Sequence, residues 1–162
     1  MSHLFIDIDT QKCFIEHFGD RAIPDCPEIR ENLMGLAGVA IKQRIPMASF
    51  VVPGSEKLSE TEIEEHYEIQ TVFEHGDEVW SNEFEDYLND LGPDSLFVFG
   101  VPLETSVKEF VLRCLELDLK VWVVRDAVKA YDADHEPEIL AELKEAGAKL
   151  VDTRNLEKFV CL

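Results

Sequence analysis

The chain has 162 residues, 46% of them hydrophobic, and a formal net charge of −19 at pH 7. This length suits one folded domain over residues 1–162, and the apolar content excludes a disordered polymer. A surface this acidic repels phosphate backbones and anionic lipids, so we expect no binding to nucleic acids or membranes. We interpret the acidity first as a source of solubility, and a basic partner or a cationic ligand is the alternative.

The N-terminal residues and the cysteines predict a cytoplasmic protein. Residues 1–4 carry no basic region and lead directly into an apolar run, so we expect no signal peptide. The four cysteines are Cys13, Cys26, Cys114 and Cys161. They form no CxxC pair and no zinc-finger spacing, which predicts free thiols in a reducing compartment.

Apolar runs and turn residues predict alternating strands and helices along the chain. The first half reads as a strand over 4–9, a loop over 15–27, a helix from about residue 28, a strand over 47–52, a short exposed helix within 55–68 and a strand over 69–73. The second half reads as a helix over 83–91, a strand over 96–99, a helix with an apolar face from Leu103 to Leu117, a strand over 121–124, a helix over 137–145 and a strand over 148–151.

The strands are continuous apolar runs, which is typical of a parallel sheet covered by helices on both faces. We therefore expect an α/β fold, a three-layer α-β-α sandwich around a central, mostly parallel sheet. In such sheets binding sites form beyond the carboxyl ends of the strands. Asp9, Gly100 and Asp126 each follow a predicted strand, so we expect them to converge at that edge.

Two short motifs carry candidate chemistry. Asp9 ends an apolar strand, with Gln11 two residues later, and a carboxylate there suits a general acid or base with a raised pKa. Ser106 lies in the first turn of the helix that follows Gly100, where backbone N–H groups and the helix dipole favour a nucleophile. The alternatives are ordinary ones, since both residue types also cap turns and helices.

Together these motifs resemble the isochorismatase-like cysteine hydrolases, a family that includes nicotinamidases. The run from Asp9 to Phe14 resembles the family's Asp-x-Gln-x-x-Phe motif. The run from Gly100 to Val107 resembles its nucleophile turn, Gly-Val-x-x-x-x-Cys-Val, with Ser106 at the cysteine position. Residues 123–127 and the tail, with His135 in the last predicted helix and residues 147–153, match in order, so the resemblance spans nearly the whole chain.

The resemblance implies a triad of aspartate, lysine and cysteine, and this chain departs from it. Asp9 keeps the aspartate, but residues 72–76, where the lysine is expected, contain none. We take Glu74 as the replacement, and two nearby carboxylates raise each other's pKa. Ser106 is a much weaker nucleophile than a thiolate unless a strong base adjoins it.

A third departure concerns the oxyanion site that the resemblance implies. Pro102 stands where the family lends a backbone N–H after a cis peptide bond, and proline has no N–H. The Val101–Pro102 bond is therefore expected to keep the cis shape while deleting the donor, and a trans proline that opens the helix is the alternative. We expect Gln11, Val101 and Pro102 to shape the pocket.

The sequence predicts no metal and no cofactor. The family's Asp-x-His metal motif is missing after the second strand, and the five histidines lack ligand spacing. His66 and His75 have polar flanks and are predicted to lie on the surface. Cys13 is an alternative nucleophile near Asp9, with Lys12 as its one evident cationic neighbour.

Two functions follow. The first is a family member that has lost catalysis and acts in binding a small molecule or in assembly, as a homo-oligomer. The second is a divergent hydrolase of an amide or a vinyl ether that uses Asp9 as acid or base, with Ser106 in the pocket. For an anionic substrate, the candidate cations are Arg21 and Arg125. A serine hydrolase is a weaker variant, because no histidine has an evident place between Ser106 and Asp9.

Overall fold

The computed structural model describes residues 2–63 and 68–161, and it contains a six-stranded sheet with the order β3-β2-β1-β4-β5-β6. The strands are β1 (His3–Ile8), β2 (Met47–Val51), β3 (Gln70–Glu74), β4 (Ser95–Gly100), β5 (Val121–Val128) and β6 (Lys149–Val151). All five strand pairings are parallel, which confirms the predicted α/β sandwich.

The described residues contain six α-helices, five between the strands and one after β6. They are α1 (Lys12–Ile15), α2 (Arg30–Gln43), α3 (Asn82–Leu91), α4 (Lys108–Glu116), α5 (Glu136–Ala146) and α6 (Thr153–Val160). None of the helices in the described part of the chain has the length and apolarity needed to cross a membrane.

Alternating side chains of the central strands feed two separate cores. In β1, Leu4, Ile6 and Ile8 pack in one core with side chains of α3, α4 and α5. Phe5, between them, points into the other core with side chains of α1, α2 and α6. Because successive side chains of a strand point to opposite faces, the fully buried strand β1 has helices on both sides. This arrangement fixes the three layers.

The neighbours of β1 place the candidate site. The chain leaves β1 toward β2 on one side and returns through β4 on the other, so the crevice at the carboxyl ends lies between β1 and β4. Gly100 ends β4 with a φ of 120°, and a Cβ there would lie 2.1 Å from the carbonyl oxygen of Ile8. Only glycine allows this close approach of the two strand ends.

Several predicted elements need correction. Within 55–68 the described residues form only a short 3₁₀ turn, Ser59–Thr61, and residues 64–67 lie outside the described residues. The helix predicted from Leu103 begins as a π-type turn, Leu103–Val107, before α4. His135 lies in a 3₁₀ turn, Ala133–His135, ahead of α5.

Two helices, α1 and α6, were not predicted. The four residues of α1 are too few to show a helical period. No element was predicted for residues 153–160, which form α6. This helix buries Leu156 and Val160 against the sheet and leaves Cys161 exposed.

Candidate active site

Asp9 is the first residue beyond β1 and has a left-handed backbone, with φ of 54°. Its N–H donates to the carbonyl of Phe50 at 2.9 Å, and its own carbonyl accepts from the N–H of Gln11 at 2.7 Å. These bonds turn the chain sharply at the strand end. The Asp9 residue is only 1% exposed, so its carboxylate is held inside the protein.

Gln11 clamps the loop that follows β2. Its amide nitrogen donates to the carbonyls of Val52 and Ser55, each at 2.9 Å, and its amide oxygen accepts from the N–H of Val52 at 2.8 Å. The side chain is fully buried. Gln11 therefore fixes the wall beside Asp9, a positioning role, and has few bonds left to offer a ligand.

His75 is the partner of Asp9, and the prediction that it lies on the surface is wrong. It follows β3 directly, is 9% exposed, and its Nε2 lies 2.6 Å from Oδ1 of Asp9. The polar residues around it in the sequence face solvent, while His75 shares the inward side of the strand with Phe73. His66, predicted to be a surface residue as well, lies outside the described residues.

Glu74, the predicted replacement for the lysine, does not lie against Asp9. Its side chain is exposed, because neighbouring residues of a strand point to opposite sides. Within residues 2–63 and 68–161, the ionisable group in hydrogen-bonding contact with the Asp9 carboxylate is His75. The position next to Asp9 that a lysine is expected to fill is thus taken by an imidazole.

Both ring nitrogens of His75 are engaged. Nδ1 lies 2.8 Å from the carbonyl oxygen of Gly76, which only accepts, so Nδ1 carries a proton. The 2.6 Å contact between Nε2 and Asp9 then holds a second proton, assigned from the hydrogen-bond network. The result is either an imidazolium with a carboxylate or an imidazole with a carboxylic acid, and in both forms His75 has no free nitrogen.

The pKa directions agree with a retained proton. Burial raises the pKa of the Asp9 carboxyl by more than its bond to His75 lowers it. Burial lowers the pKa of the His75 imidazole, but the bond to Asp9 and its charge outweigh burial, so the pKa lies above the ordinary 6.5. Both directions favour the protonated form of the Asp9–His75 pair.

The turn that carries Ser106 is pinned to its neighbours on both sides. The Val101–Pro102 bond is cis, as the resemblance implies and unlike the trans alternative. The N–H of Val101 donates to the carbonyl of Ile8 at 2.9 Å, and the N–H of Leu103 donates to that of Lys129 at 2.8 Å. Ser106 is half-buried in the π-type turn, and no hydrogen bond joins its hydroxyl to Asp9 or His75 in the described residues.

The two candidate cations differ in their surroundings. Arg125 is bound by Asp152 through two hydrogen bonds of 2.6 and 2.8 Å, on the outer part of β5. Arg21 is exposed and lies over the ring of Phe14, 5.8 Å from its centroid, and its carbonyl accepts from the hydroxyl of Tyr131 at 3.1 Å. The guanidinium of Arg21 is therefore exposed to solvent, whereas that of Arg125 is bound by Asp152.

Asp126 does not join the site. It lies within β5, which extends to Val128, and not beyond the strand end as predicted. Its Oδ1 accepts from the N–H and the hydroxyl of Thr153, at 2.9 and 2.7 Å, and so holds the first turn of α6. Of the three residues expected to converge, the structure brings Asp9 and Gly100 together at the ends of β1 and β4.

A buried ion pair between Asp7 and Lys57 was not predicted from the sequence. Asp7, inside β1, accepts hydrogen bonds from the hydroxyls of Thr10 and Ser49 at 2.5 and 2.7 Å. Nζ of Lys57 lies 2.5 Å from the same carboxylate, and the two side chains are 10% and 0% exposed. An aspartate within an apolar strand was the available signal, because such a charge needs a buried partner. The loop after β2 supplies that partner.

The candidate metal ligands and the cysteines can be placed in the structure. The described residues contain no group of three or more histidine, cysteine, aspartate or glutamate side chains placed to hold a metal. Burial raises the pKa of Cys26 to about 12 and also raises that of Cys114, so neither is a thiolate at neutral pH. Cys13 is partly exposed, and its N–H donates to the Ser55 hydroxyl at 3.0 Å.

A family model described as the isochorismatase domain matches residues 3–155. An isochorismatase family protein from Desulfovibrio vulgaris superposes with a TM-score of 0.89 at 17% identity, over 99% of each chain. The nicotinamidase/pyrazinamidase of Bacillus subtilis gives a TM-score of 0.83 at 14% identity, over 94% of this chain and 100% of its own. A ribonuclease from Caenorhabditis elegans gives 0.81 at 20% identity, over 96% of this chain and 79% of its own.

Among curated proteins, none matches this sequence. At such low identities the structural neighbours establish the shared fold alone, whereas the family model covers nearly the whole chain.

Proposed function

This chain belongs to the isochorismatase family, and from that premise we propose that it is catalytically degenerate. In this proposal it does not perform cysteine-type amide hydrolysis and instead binds a small molecule or assembles with partners. The observation that carries the proposal is the Asp9–His75 pair, to which the Ser106 hydroxyl makes no hydrogen bond among the described residues. Asp9 is kept, but three other features depart from the pattern that the family reaction needs: Ser106 replaces the cysteine, the lysine is missing, and Pro102 has no N–H.

The first step that fails is activation of the nucleophile. In the reaction implied by the family, the aspartate takes the proton of a thiol, whose ordinary pKa is about 8.5. A serine hydroxyl needs a stronger, adjacent base. The Asp9 carboxylate already shares a proton with His75, and Nδ1 of His75 donates to the carbonyl of Gly76. His75 therefore has no free nitrogen for Ser106, and the proton shared with His75 weakens Asp9 as a base.

The second step that fails is stabilisation of an oxyanion. At the nucleophile turn, Pro102 has no N–H, and the N–H groups on either side of it are bound to the carbonyls of Ile8 and Lys129. Loss of one such donor costs on the order of 10²–10³ in rate where it has been measured. This loss adds to that of the thiol, and together they favour binding over turnover.

The test is an activity panel on the purified chain with nicotinamide, pyrazinamide and isochorismate. We expect no turnover of the two amides by the wild-type protein, and a change in melting temperature when a ligand binds. Asp9→Asn serves as the site variant and Lys12→Ala, an exposed lysine nearby, as the matched control. Amide hydrolysis by the wild-type chain that Asp9→Asn abolishes and Lys12→Ala leaves intact refutes the proposal.

A second candidate function is supported by the raised pKa of Asp9. A carboxyl whose pKa is raised by burial suits a general acid, such as one that protonates a vinyl ether without a covalent intermediate. Under this alternative, isochorismate is hydrolysed, the activity survives Ser106→Ala, and it is lost in Asp9→Asn. RNA cleavage, suggested by the ribonuclease among the neighbours, is disfavoured by the net charge of −19.

A further inference from the structure

A basic groove runs along the outer edge of β6, at the opposite end of the sheet from β3. It is a cavity of about 520 Å³ with Lys144 of α5 on one wall, β6 along its floor and α6 on the other wall. Because β6 is the last strand in the sheet order, no described strand covers its outer edge. The outer N–H and C=O groups of such an edge are available to an added strand.

The charge of this groove is opposite to that of the molecule. Four of its lining residues are cations, namely Arg125, Lys144, Lys149 and Lys158, and Asp152 is the acid among them. The whole chain, by contrast, has 15 lysines and arginines against 34 acids. Since Arg125 is neutralised by Asp152, the three lysines supply the excess positive charge.

These lysines lack carboxylate partners in residues 2–63 and 68–161. Lys158 donates to the side-chain oxygen of Asn155 at 3.0 Å, and Nζ of Lys149 lies 5.1 Å from the ring centroid of Trp122. In a chain with twice as many acids as bases, three neighbouring lysines without an acid partner are unexpected. Their positive charge is not neutralised by a carboxylate of the described residues, and it suits an acidic ligand.

An exposed aromatic side chain lies in the groove beside the lysines. Phe159 of α6 is 42% exposed, and its ring lies 4.5 Å from that of Trp122, centroid to centroid. Exposed lysine on an edge strand is also a known defence against unwanted strand pairing. This role explains only Lys149, because Lys144 and Lys158 lie on helices. An exposed Phe159 beside the edge would favour strand pairing and so oppose such a role.

We propose that this groove binds an extended acidic segment of another polypeptide, which adds as a strand beside β6. Successive side chains of the added strand point to opposite faces of the sheet. Carboxylates on the α6 side therefore meet Lys149 and Lys158, and those on the α5 side meet Lys144. An apolar residue on the α6 side contacts Phe159. This mode combines main-chain hydrogen bonds with side-chain specificity. The proposal goes beyond the Asp9 site and does not depend on it.

A short acidic segment fits better than a nucleic acid. Nucleic-acid affinity grows with the number of phosphates neutralised, and this groove offers three free cations. Beyond the groove a long polyanion meets an acidic surface, whereas a segment of a few residues keeps its negative charge within reach of the lysines.

The experiment measures fluorescence anisotropy of a labelled heptapeptide with three glutamates on each side of a central valine, titrated with the full chain at low salt. We expect binding that weakens as salt rises. The double variant Lys144→Ala with Lys158→Ala should weaken it about tenfold, at roughly threefold for each exposed ion pair. The matched control, Lys42→Ala with Lys120→Ala, removes two exposed lysines outside the groove and should change affinity less than twofold.

Melting temperatures of both double variants establish that each is folded. Absence of peptide binding by the wild-type chain overturns the proposal, as does an equal loss in the control variant. Tighter binding of a seven-nucleotide RNA than of the peptide assigns the groove to nucleic acid and also overturns it. So does a dimer in gel filtration that dissociates in the Lys144→Ala and Lys158→Ala variant, since the occupant is then a second copy. These experiments measure binding and oligomeric state and need no enzymatic turnover, so their outcome does not depend on the proposed function.

Discussion

Replacing Lys57 by methionine tests how much the fold depends on the ion pair beneath Asp9. Methionine keeps a long apolar side chain but removes the ammonium that lies 2.5 Å from the Asp7 carboxylate. Asp7 is then a fully buried charge whose remaining donors are the hydroxyls of Thr10 and Ser49. Breaking a buried pair by removing one partner costs about 3–5 kcal/mol.

That cost is large on the scale of the whole molecule. Domains of this size have a free energy of unfolding of about 5–15 kcal/mol, so a cost of about 3–5 kcal/mol means that Lys57→Met should remove a fifth of it or more. The two hydroxyls of Thr10 and Thr61 also lose the ammonium as a donor, although they remain bonded to each other at 2.8 Å. We therefore expect a clearly lower urea midpoint.

The assay is urea unfolding followed by circular dichroism, with a second variant to identify the cause. Asp7→Asn in the Lys57→Met background removes the unpaired charge, so the double variant should be more stable than Lys57→Met alone. Lys12→Met is the control, because Lys12 pairs with Glu56 on the surface and its loss should leave the midpoint unchanged. A Lys57→Met protein as stable as the wild type, or no rescue by Asp7→Asn, refutes the reasoning.

Three further predictions concern His75, Gly100 and the thiols. His75 stabilises the fold fully below its unfolded pKa of 6.5 and progressively less as pH rises through its higher folded pKa. The free energy of unfolding should therefore fall above about pH 6.5, and His75→Gln should flatten that slope; an identical slope contradicts it. Gly100→Ala places a Cβ 2.1 Å from the Ile8 carbonyl and should cost roughly 3 kcal/mol or more, which lowers the melting temperature by about 6–12 °C or more. Cys161 should react with iodoacetamide in the native protein while Cys114 does not, and equal labelling by mass spectrometry would show that α4 opens.

The strands of the sheet could be predicted because each one is a short run of consecutive apolar residues. Runs such as residues 96–99 are apolar at every position, which is required of a strand buried on both faces. The approach of Asp9 to Gly100 followed from two strand ends of a parallel sheet. The helix α6 was missed because a short terminal run needs the sheet face beside it before its few apolar residues have anything to bury.

The partner of Asp9 could not be read in the same way. Glu74 and His75 are adjacent, both have polar flanks, and only the direction in which β3 ends decides which of them points inward. Asp7 and Lys57 are likewise brought together by a loop after β2, although they are far apart along the chain.

Apolar runs, turn residues and two motifs thus determined the α/β class, the order of elements and the turn that carries Ser106. The register of β3 beside β2, and the loop clamped by Gln11, decided that an imidazole closes on Asp9. The physical reason is the distance along the chain over which each effect acts. Hydrophobic periodicity is a property of neighbouring residues, whereas a buried charge is paired with its partner only when strands and loops that are distant in the sequence pack together.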